Sequence, residues 1–109
     1  MKYTYRTCCH PALGRIRTIC DGKMLMLCAG DLGRMLGFTN PEEYVKKHCP
    51  HMRKYAYPGM EKKMYFAKAA EADGLLAETE SRSADMLEYW LCNTVIPDIF
   101  GECRDRESE

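Results

Sequence analysis

The sequence has no run of apolar residues near the ~20 needed to cross a bilayer, and its first residues lack the apolar stretch of a signal peptide. It also contains no CxxC pair, no glycine-rich phosphate loop and no internal repeat. These absences disfavour membrane-spanning, secreted and repeat proteins, as well as nucleotide-dependent enzymes. They predict an intracellular, cytoplasmic protein that does not bind a membrane.

What is present is typical of one soluble domain. The chain has 109 residues, of which 46% are hydrophobic and 29% are charged. A chain of this length buries about two-thirds of its unfolded surface, which is enough for one core. Its seven cysteines are an odd number, which favours reduced thiols, several of them in the core, over a disulfide framework. We predict a single domain over residues 1–101 and a charged tail over residues 102–109.

The formal net charge is zero, but the two parts of the chain carry opposite charges. Residues 1–68 contain 13 Lys and Arg against 5 Asp and Glu, whereas residues 69–109 contain 3 against 11. Such a division is typical of a basic surface for polyanions beside an acidic segment. The alternative is that the two parts fold together and their fields partly cancel.

The first third of the sequence has the pattern of β-strands. Apolar and polar residues alternate over residues 15–20, and residues 24–28 form an apolar run. Between them, Asp21 and Gly22 predict a two-residue turn, so the two runs are expected to form a hairpin. Residues 3–8, which mix aromatic residues and Thr, predict a further strand.

A pair of short helices is predicted next. Apolar residues recur at helical spacing over residues 28–36, and Gly37 is placed to end that helix. Asn40 is expected to cap a second helix that has Pro41 at its first position and runs to His48. Because the connection is only a few residues long, the pair resembles a helix-turn-helix.

The remaining sequence is less regular until its last helix. Residues 51–66 fit either two short strands or an irregular loop, and residues 67–72 predict a helix that ends near Gly74. The candidate caps of the last helix are Thr79, Ser81 and Ser83. Its apolar stripe consists of Leu87, Trp90, Leu91, Thr94 and Val95. Pro97 is expected to kink or end it. The predicted fold is α+β: a small antiparallel sheet packed with short helices, including the helix-turn-helix-like pair and the C-terminal Trp-bearing helix.

Basic and aromatic residues are interleaved in the middle of the chain. Cations that neutralise phosphates and rings that stack on bases are the two parts of a nucleic-acid-binding surface. We predict that this surface consists of Lys46, Lys47, Arg53, Lys54, Tyr55, Tyr57, Lys62 and Lys63. The alternative is that the tyrosines are ordinary strand residues and the lysines solvate the surface. The second helix begins with Glu42 and Glu43, which would repel phosphates from its N-terminus.

Residues for other chemistry are less well placed. The segment from His48 to His51 contains three potential zinc ligands, but a structural zinc site needs four, usually in spaced pairs. The favoured alternative is a helix C-terminus, where His48 interacts with the helix dipole. No spacing singles out a nucleophile, a base and an orienting group. A small thiol or metal enzyme is motivated only by the abundance of Cys and His, so we expect no enzymatic activity, no metal and no cofactor.

Two separated segments have a distinctive pattern. In the first, LCAGDL at 27–32 leads to LGFTNP at 36–41. In the second, WL at 90–91 precedes VIPDI at 95–99 and a closing glycine. Over roughly residues 3–101 the chain resembles the BRO-N family, the N-terminal domain of phage and baculovirus BRO proteins and of prophage antirepressors.

The resemblance implies an α+β domain that binds DNA or a partner protein in viral or prophage gene control, without a cofactor or catalysis. It also implies a structural role for the motif positions Asp31, Gly37, Asn40, Pro41, Trp90 and Pro97. The chain departs from the family at 78–85, where relatives commonly carry a basic stretch and this sequence reads ETESRSAD. A DNA contact made there by relatives is therefore expected to be missing.

We expect a non-enzymatic viral or prophage regulatory protein of the antirepressor type, which binds DNA through the basic surface in the cytoplasm of the infected or lysogenic host. The alternative, motivated by the acidic residues 69–109, is a protein-binding inhibitor that sequesters a repressor or a host defence factor. A homodimer is expected because helix-turn-helix proteins often bind DNA as symmetric pairs.

Overall fold

The described residues form a five-stranded antiparallel sheet, built from a three-stranded meander and a hairpin. The computed structural model describes residues 3–100, so Gly101 and the predicted tail at 102–109 lie outside the described residues. The strands are β1 (Thr4–His10), β2 (Gly14–Cys20), β3 (Leu25–Cys28), β4 (Arg53–Tyr55) and β5 (Met64–Lys68). Their spatial order is β1-β2-β3-β5-β4. The α+β prediction is confirmed, and of the two readings of residues 51–66, the two short strands are the one observed.

The β2–β3 hairpin is confirmed, but its turn is four residues long rather than two. Cys20 pairs with Leu25, which leaves residues 21–24 in the turn. The Asp21 carboxylate accepts hydrogen bonds from the backbone N–H groups of Lys23 and Met24, at 2.9 and 2.7 Å. The Asp21 N–H also donates a 3.2 Å hydrogen bond to the Met24 carbonyl, so side-chain and backbone bonds together close a four-residue turn in place of the predicted two-residue one.

The helices follow the strands in two groups. They are α1 (Ala29–Met35), α2 (Pro41–His48), α3 (Ala69–Glu78) and α4 (Arg82–Trp90). A π-helical turn, Leu91–Val95, continues α4 and leads into further helix at 96–100. Of the three candidate caps of α4, Ser81 is the one used, because its hydroxyl accepts a hydrogen bond from the Ala84 N–H at 3.0 Å.

In the α1–α2 connection, Gly37 ends the first helix as predicted, but Asn40 does not cap the second. Gly37 has φ of +84° and ends α1. Its N–H donates a hydrogen bond to the Arg34 carbonyl, and the Phe38 N–H donates one to the Gly33 carbonyl. Pro41 occupies the first turn of α2, as expected. Asn40 makes no side-chain capping bond, because its ψ of 77° lies outside the extended region from which a cap reaches the helix N–H groups.

Two predictions for the C-terminal part, the end of the third helix and the inward position of Thr94, are wrong for tertiary reasons. The third helix continues through Gly74 to Glu78, because burial of Ala72, Leu75 and Leu76 outweighs the ~1 kcal/mol cost of a glycine in a helix. Of the two alternatives for Pro97, a kink or an end of the last helix, the end is wrong, because the helix continues over residues 96–100. A proline lacks the N–H that continues a regular helix, and the preceding π turn accommodates it with a wide hydrogen bond from the Ile96 N–H to the Leu91 carbonyl.

The apolar stripe predicted for the last helix is confirmed only in part. Leu87, Leu91 and Val95 are buried as expected, whereas Thr94 is exposed to solvent. Trp90 is half-buried at the margin of the core and contacts the His10 ring edge-on, with 5.1 Å between centroids.

The core lies on both faces of the sheet. The larger cluster fills the space between one face and the helices, and its most buried large side chains include Ile16, Leu27, Leu32, Val45, Leu75 and Leu87. The smaller cluster lies on the opposite face and consists of Ile19, Met26, Cys28, Tyr57 and Phe66. We call these the helix face and the outer face of the sheet.

Candidate nucleic-acid interface

The structure divides the predicted nucleic-acid-binding residues between the two faces of the sheet. Successive residues of a strand point to opposite faces, so Arg53 and Lys54 on β4 are separated. Lys54 pairs with Tyr65 in the register of β4 and β5, on the helix face. Arg53 pairs with Phe66 and, with Tyr55, belongs to the outer face. The predicted nucleic-acid-binding residues therefore do not form one continuous surface but lie on two separate faces of the sheet.

On the helix face, two lysines from different elements share one aromatic ring. The ammonium groups of Lys46 on α2 and Lys54 on β4 lie 5.5 and 5.1 Å from the centroid of Tyr65. Both distances are within the range of a cation–π contact. Lys47 follows on the exposed side of α2. We call Lys46, Lys47 and Lys54 the lysine surface.

The charges on α2 determine which part of this helix suits a polyanion. Glu42 and Glu43 occupy its first turn, and Lys46 and Lys47 its last. Within the described residues neither lysine forms an ion pair with a carboxylate, so their charges are available to a ligand. The acidic first turn disfavours insertion of the helix N-terminus into a groove, whereas the last turn can contact phosphates.

Tyr57 is not available for base stacking, contrary to the prediction. It is only 8% exposed, and its hydroxyl forms a 3.1 Å hydrogen bond with Thr7 Oγ1. Its ring stacks on that of Phe66, with 6.0 Å between centroids. The reason is that β4 ends at Tyr55, so Tyr57 belongs to the β4–β5 loop, which folds back over the outer face instead of continuing the strand.

Lys62 and Lys63 lie in the same β4–β5 loop, residues 56–63, immediately before β5. Both are exposed, and neither has an ion-pair partner among residues 3–100. The loop is held to the sheet by Tyr57 and by Met60, whose sulfur accepts a 3.3 Å hydrogen bond from Arg17. These two lysines add positive charge beside the sheet but share no described contact with the lysine surface.

Asp31, a motif position, forms a buried ion pair that sequence analysis missed. Its carboxylate is 1% exposed and accepts hydrogen bonds from Arg17 Nε, Arg17 Nη2 and the Arg17 backbone N–H, at 2.8, 2.9 and 3.0 Å. Burial raises the pKa of Asp31, but the hydrogen bonds from Arg17 outweigh burial and leave that pKa below its usual value. The pair fixes the start of α1 to β2, so this position is structural.

The His-Cys segment after α2 contacts acidic residues of α3. His48 Nδ1 lies 3.2 Å from a carboxylate oxygen of Glu78, and His51 Nδ1 lies 2.9 Å from one of Glu71. Cys49 between them is buried, and burial followed by the nearby Glu71 charge raises the pKa of its thiol to about 11. A thiol with that pKa stays protonated at neutral pH and is a poor nucleophile or metal ligand. Within the described chain, no three His, Cys, Asp or Glu side chains are grouped to hold a metal ion.

Comparisons of the chain with models of protein families, with curated proteins and with solved structures found no match. The resemblance of segments 27–41 and 90–101 to the BRO-N family therefore stays a prediction. Over residues 3–100, no helix is both long enough and apolar enough to cross a membrane.

Proposed function

We propose that this protein is a non-enzymatic regulatory protein of the viral or prophage antirepressor type, which binds duplex DNA through the lysine surface in the cytoplasm of the infected or lysogenic host. Within that surface, Lys46 and Lys54, which both contact the Tyr65 ring, contact phosphates, and Lys47 adds a contact from the last turn of α2. Lys62 and Lys63 attract the polyanion from the neighbouring loop.

One observation carries this proposal. Lys46 and Lys54 come from two elements, yet both ammonium groups lie within 5.5 Å of the centroid of one tyrosine ring. No carboxylate in the described chain pairs with either of them. Two cations that no carboxylate neutralises leave positive charge exposed around this ring, and the phosphates of a polyanion would neutralise it. A polyanion is thus the ligand that best complements the lysine surface.

The test is the salt dependence of duplex binding by two matched double variants. Each lysine that neutralises a phosphate of B-DNA contributes about 0.9 to the slope of log affinity against log salt concentration. Lys46→Gln with Lys54→Gln is therefore expected to lower that slope by about 2. Lys23→Gln with Arg82→Gln removes two exposed cations elsewhere and is expected to leave the slope unchanged.

The result is interpretable only if both double variants fold, which thermal unfolding checks. Equal slopes for the wild type and the Lys46/Lys54 variant would show that the lysine surface does not contact phosphates. Equal loss in both double variants would show that binding depends on overall charge and not on this surface.

A second candidate function is suggested by a groove between α3 and the end of α4. Its volume is about 270 Å³, its floor is apolar and includes Leu76, Leu91 and Ile96, and Asp73 and Glu88 lie at its rim. An apolar groove with an acidic rim complements a basic segment that carries apolar side chains. We propose as the alternative that a repressor or host defence factor with such a segment binds here.

This alternative is tested by charge reversal at the rim of the groove. A repressor or defence factor recovered from host lysate is expected to bind the wild type and the Lys23→Gln, Arg82→Gln control equally. It is expected to lose binding to Asp73→Lys with Glu88→Lys. Binding that survives the reversal would exclude this groove as the docking site.

A further inference from the structure

The outer face of the sheet carries side chains that are unusual for a face turned away from the helices. In an antiparallel sheet with one packed face, the other face is ordinarily polar. Here the strand register gives it one large apolar side chain per strand: Tyr5, Ile19, Met26, Phe66 and Tyr55. The β4–β5 loop covers only part of these side chains, since Tyr5 remains 41% exposed.

A groove of about 500 Å³ lies on the part of the outer face that the loop leaves uncovered. This volume is within the range of about 300–1,000 Å³ that is typical of ligand sites. The apolar side chains that line the groove are Tyr3, Met24, Met26, Pro50, Met52, Tyr55 and Phe66.

The aromatic rings around the groove contact one another by their edges. The Tyr3 centroid lies 6.3 Å from that of Tyr5 and 6.3 Å from that of Tyr55, with interplanar angles of 61° and 72°. Tyr55 meets Phe66 at 83°. In each of these contacts the edge of one ring lies against the face of the other, and no ring in the described structure is stacked in parallel on Tyr3 or Tyr55. Tyr3 is also 38% exposed. The exposed part of the Tyr3 ring, and that of the half-buried Tyr55, is the aromatic surface that a flat ligand can reach.

The groove is concave across the sheet. Tyr55 belongs to β4, at one edge, and Tyr3 directly precedes β1, at the other. Because neighbouring strands lie about 4.8 Å apart, the edges of a flat five-stranded sheet are separated by about 19 Å. The two rings nevertheless approach to 6.3 Å, so the side chains of both edges lean inward over the face.

The charged groups at the groove favour an anion. Arg53 and Lys68 line it, both are exposed, and neither has an ion-pair partner in the part of the chain described. The one carboxylate in the lining, Asp21, already accepts two backbone hydrogen bonds in its own turn. His51, which also lines the groove, forms a 2.9 Å hydrogen bond through Nδ1 with Glu71, a residue outside the lining.

We propose that this outer groove binds a single-stranded nucleic acid segment, with an unpaired base stacked on Tyr3 or Tyr55 and the flanking phosphates held by Arg53 and Lys68. Rings that accept flat ligands and cations that accept phosphates are the combination by which single strands are bound. Duplex DNA does not fit, because its bases are stacked on one another and are not available to a tyrosine ring. This site is separate from the lysine surface and does not depend on the function proposed there.

The direct test measures binding of a fluorescently labelled 12-nucleotide deoxythymidine oligomer by anisotropy, at about 50 mM salt where phosphate contacts are strong. The wild type is expected to bind. Since stacking contributes about 1–3 kcal/mol per base, Tyr55→Leu is expected to weaken binding about 5- to 150-fold, and Tyr3→Leu similarly. Tyr55→Phe keeps an aromatic ring and is expected to bind within about threefold of the wild type, because stacking needs only the π face.

Two controls separate stacking from other losses. Tyr89→Leu removes a tyrosine that is 72% exposed on α4, away from the groove, and is expected to change nothing. Arg53→Gln alters an exposed side chain without touching the core, so it tests the groove even if Tyr55→Leu fails to fold. It is expected to weaken single-strand binding and reduce its salt dependence.

The outcomes distinguish this proposal from the function of the lysine surface. Weakened oligomer binding by Tyr55→Leu, with duplex binding unchanged, supports the outer groove whether or not Lys46 and Lys54 bind DNA. Oligomer binding that is lost in the Lys46/Lys54 variant but kept in Tyr3→Leu, Tyr55→Leu and Arg53→Gln would overturn it. So would a wild type that does not bind the oligomer but binds a proline-rich peptide, the other extended ligand for an aromatic groove.

Discussion

Replacing Asp31 by Asn should destabilise the protein strongly, because it removes one partner of a buried ion pair. The change keeps the shape of the side chain but removes the charge that Arg17 faces at 2.8 and 2.9 Å. Arg17 is itself buried, so its guanidinium would be left without a counter-charge. Breaking such a pair from one side costs about 3–5 kcal/mol, a large share of the roughly 5–15 kcal/mol that stabilises a typical domain.

Urea denaturation measures this loss. With a slope of about 1.5–2 kcal/mol per molar urea, typical of a small domain, the expected loss lowers the unfolding midpoint by roughly 2–3 M. Asp73→Asn is the matched control, because Asp73 is exposed on α3 and its replacement should change the free energy of unfolding by no more than about 0.5 kcal/mol. A midpoint for Asp31→Asn within error of the control would refute the inferred energetic role of the pair.

The pH dependence gives a second test of the same pair. The folded-state pKa of Asp31 is lowered, so the stability that it contributes is present above the unfolded-state value of about 3.9 and is lost as pH falls through the folded-state value. Asp31→Asn has no such group. The difference in unfolding free energy between wild type and variant should therefore be constant near neutral pH and shrink below about pH 4. A difference that grows on acidification would contradict the assignment.

Three further predictions concern packing. Gly33→Ala should lower the free energy of unfolding by about 1–3 kcal/mol, because the new Cβ would lie 2.4 Å from the Cβ of Pro41. Gly74→Ala should raise it by about 0.5–1 kcal/mol, because the new Cβ meets open space and alanine favours the helix more than glycine does. Thermal midpoints compare the two. Exposed Cys92 should react with a thiol reagent in the folded protein, and buried Cys49 only after unfolding, which peptide mass analysis distinguishes. Equal midpoints or equal labelling would contradict the packing described.

Local patterns were sufficient for those elements whose signals lie within a few residues. The β2–β3 hairpin and the glycine end of α1 follow from alternation and from Gly37, and both are observed. Asn40 and Gly74 misled because a cap depends on backbone angles, and a helix depends on what its apolar face packs against. Neither the backbone angles at Asn40 nor the packing partners of α3 can be predicted from the neighbouring residues.

The candidate sites depend on contacts between distant residues, which a single sequence does not show. Composition identified Lys46 and Lys54 as basic residues, but their shared ring follows from the pairing of β4 with β5. Spacing alone does not distinguish Tyr57 from Tyr55, although Tyr55 belongs to a strand and Tyr57 to a loop. The Arg17–Asp31 pair was hidden because a strand arginine is ordinarily expected to face solvent.

The most direct test of the proposed function is wild-type binding to a labelled duplex of random sequence, measured by fluorescence anisotropy at two salt concentrations. Three phosphate contacts by the lysine surface predict an affinity that falls roughly 40-fold between about 50 and 200 mM salt. Binding of that salt sensitivity would support the lysine surface as the site of phosphate contact. Equal affinity at both concentrations, or no binding at the lower one, would contradict it.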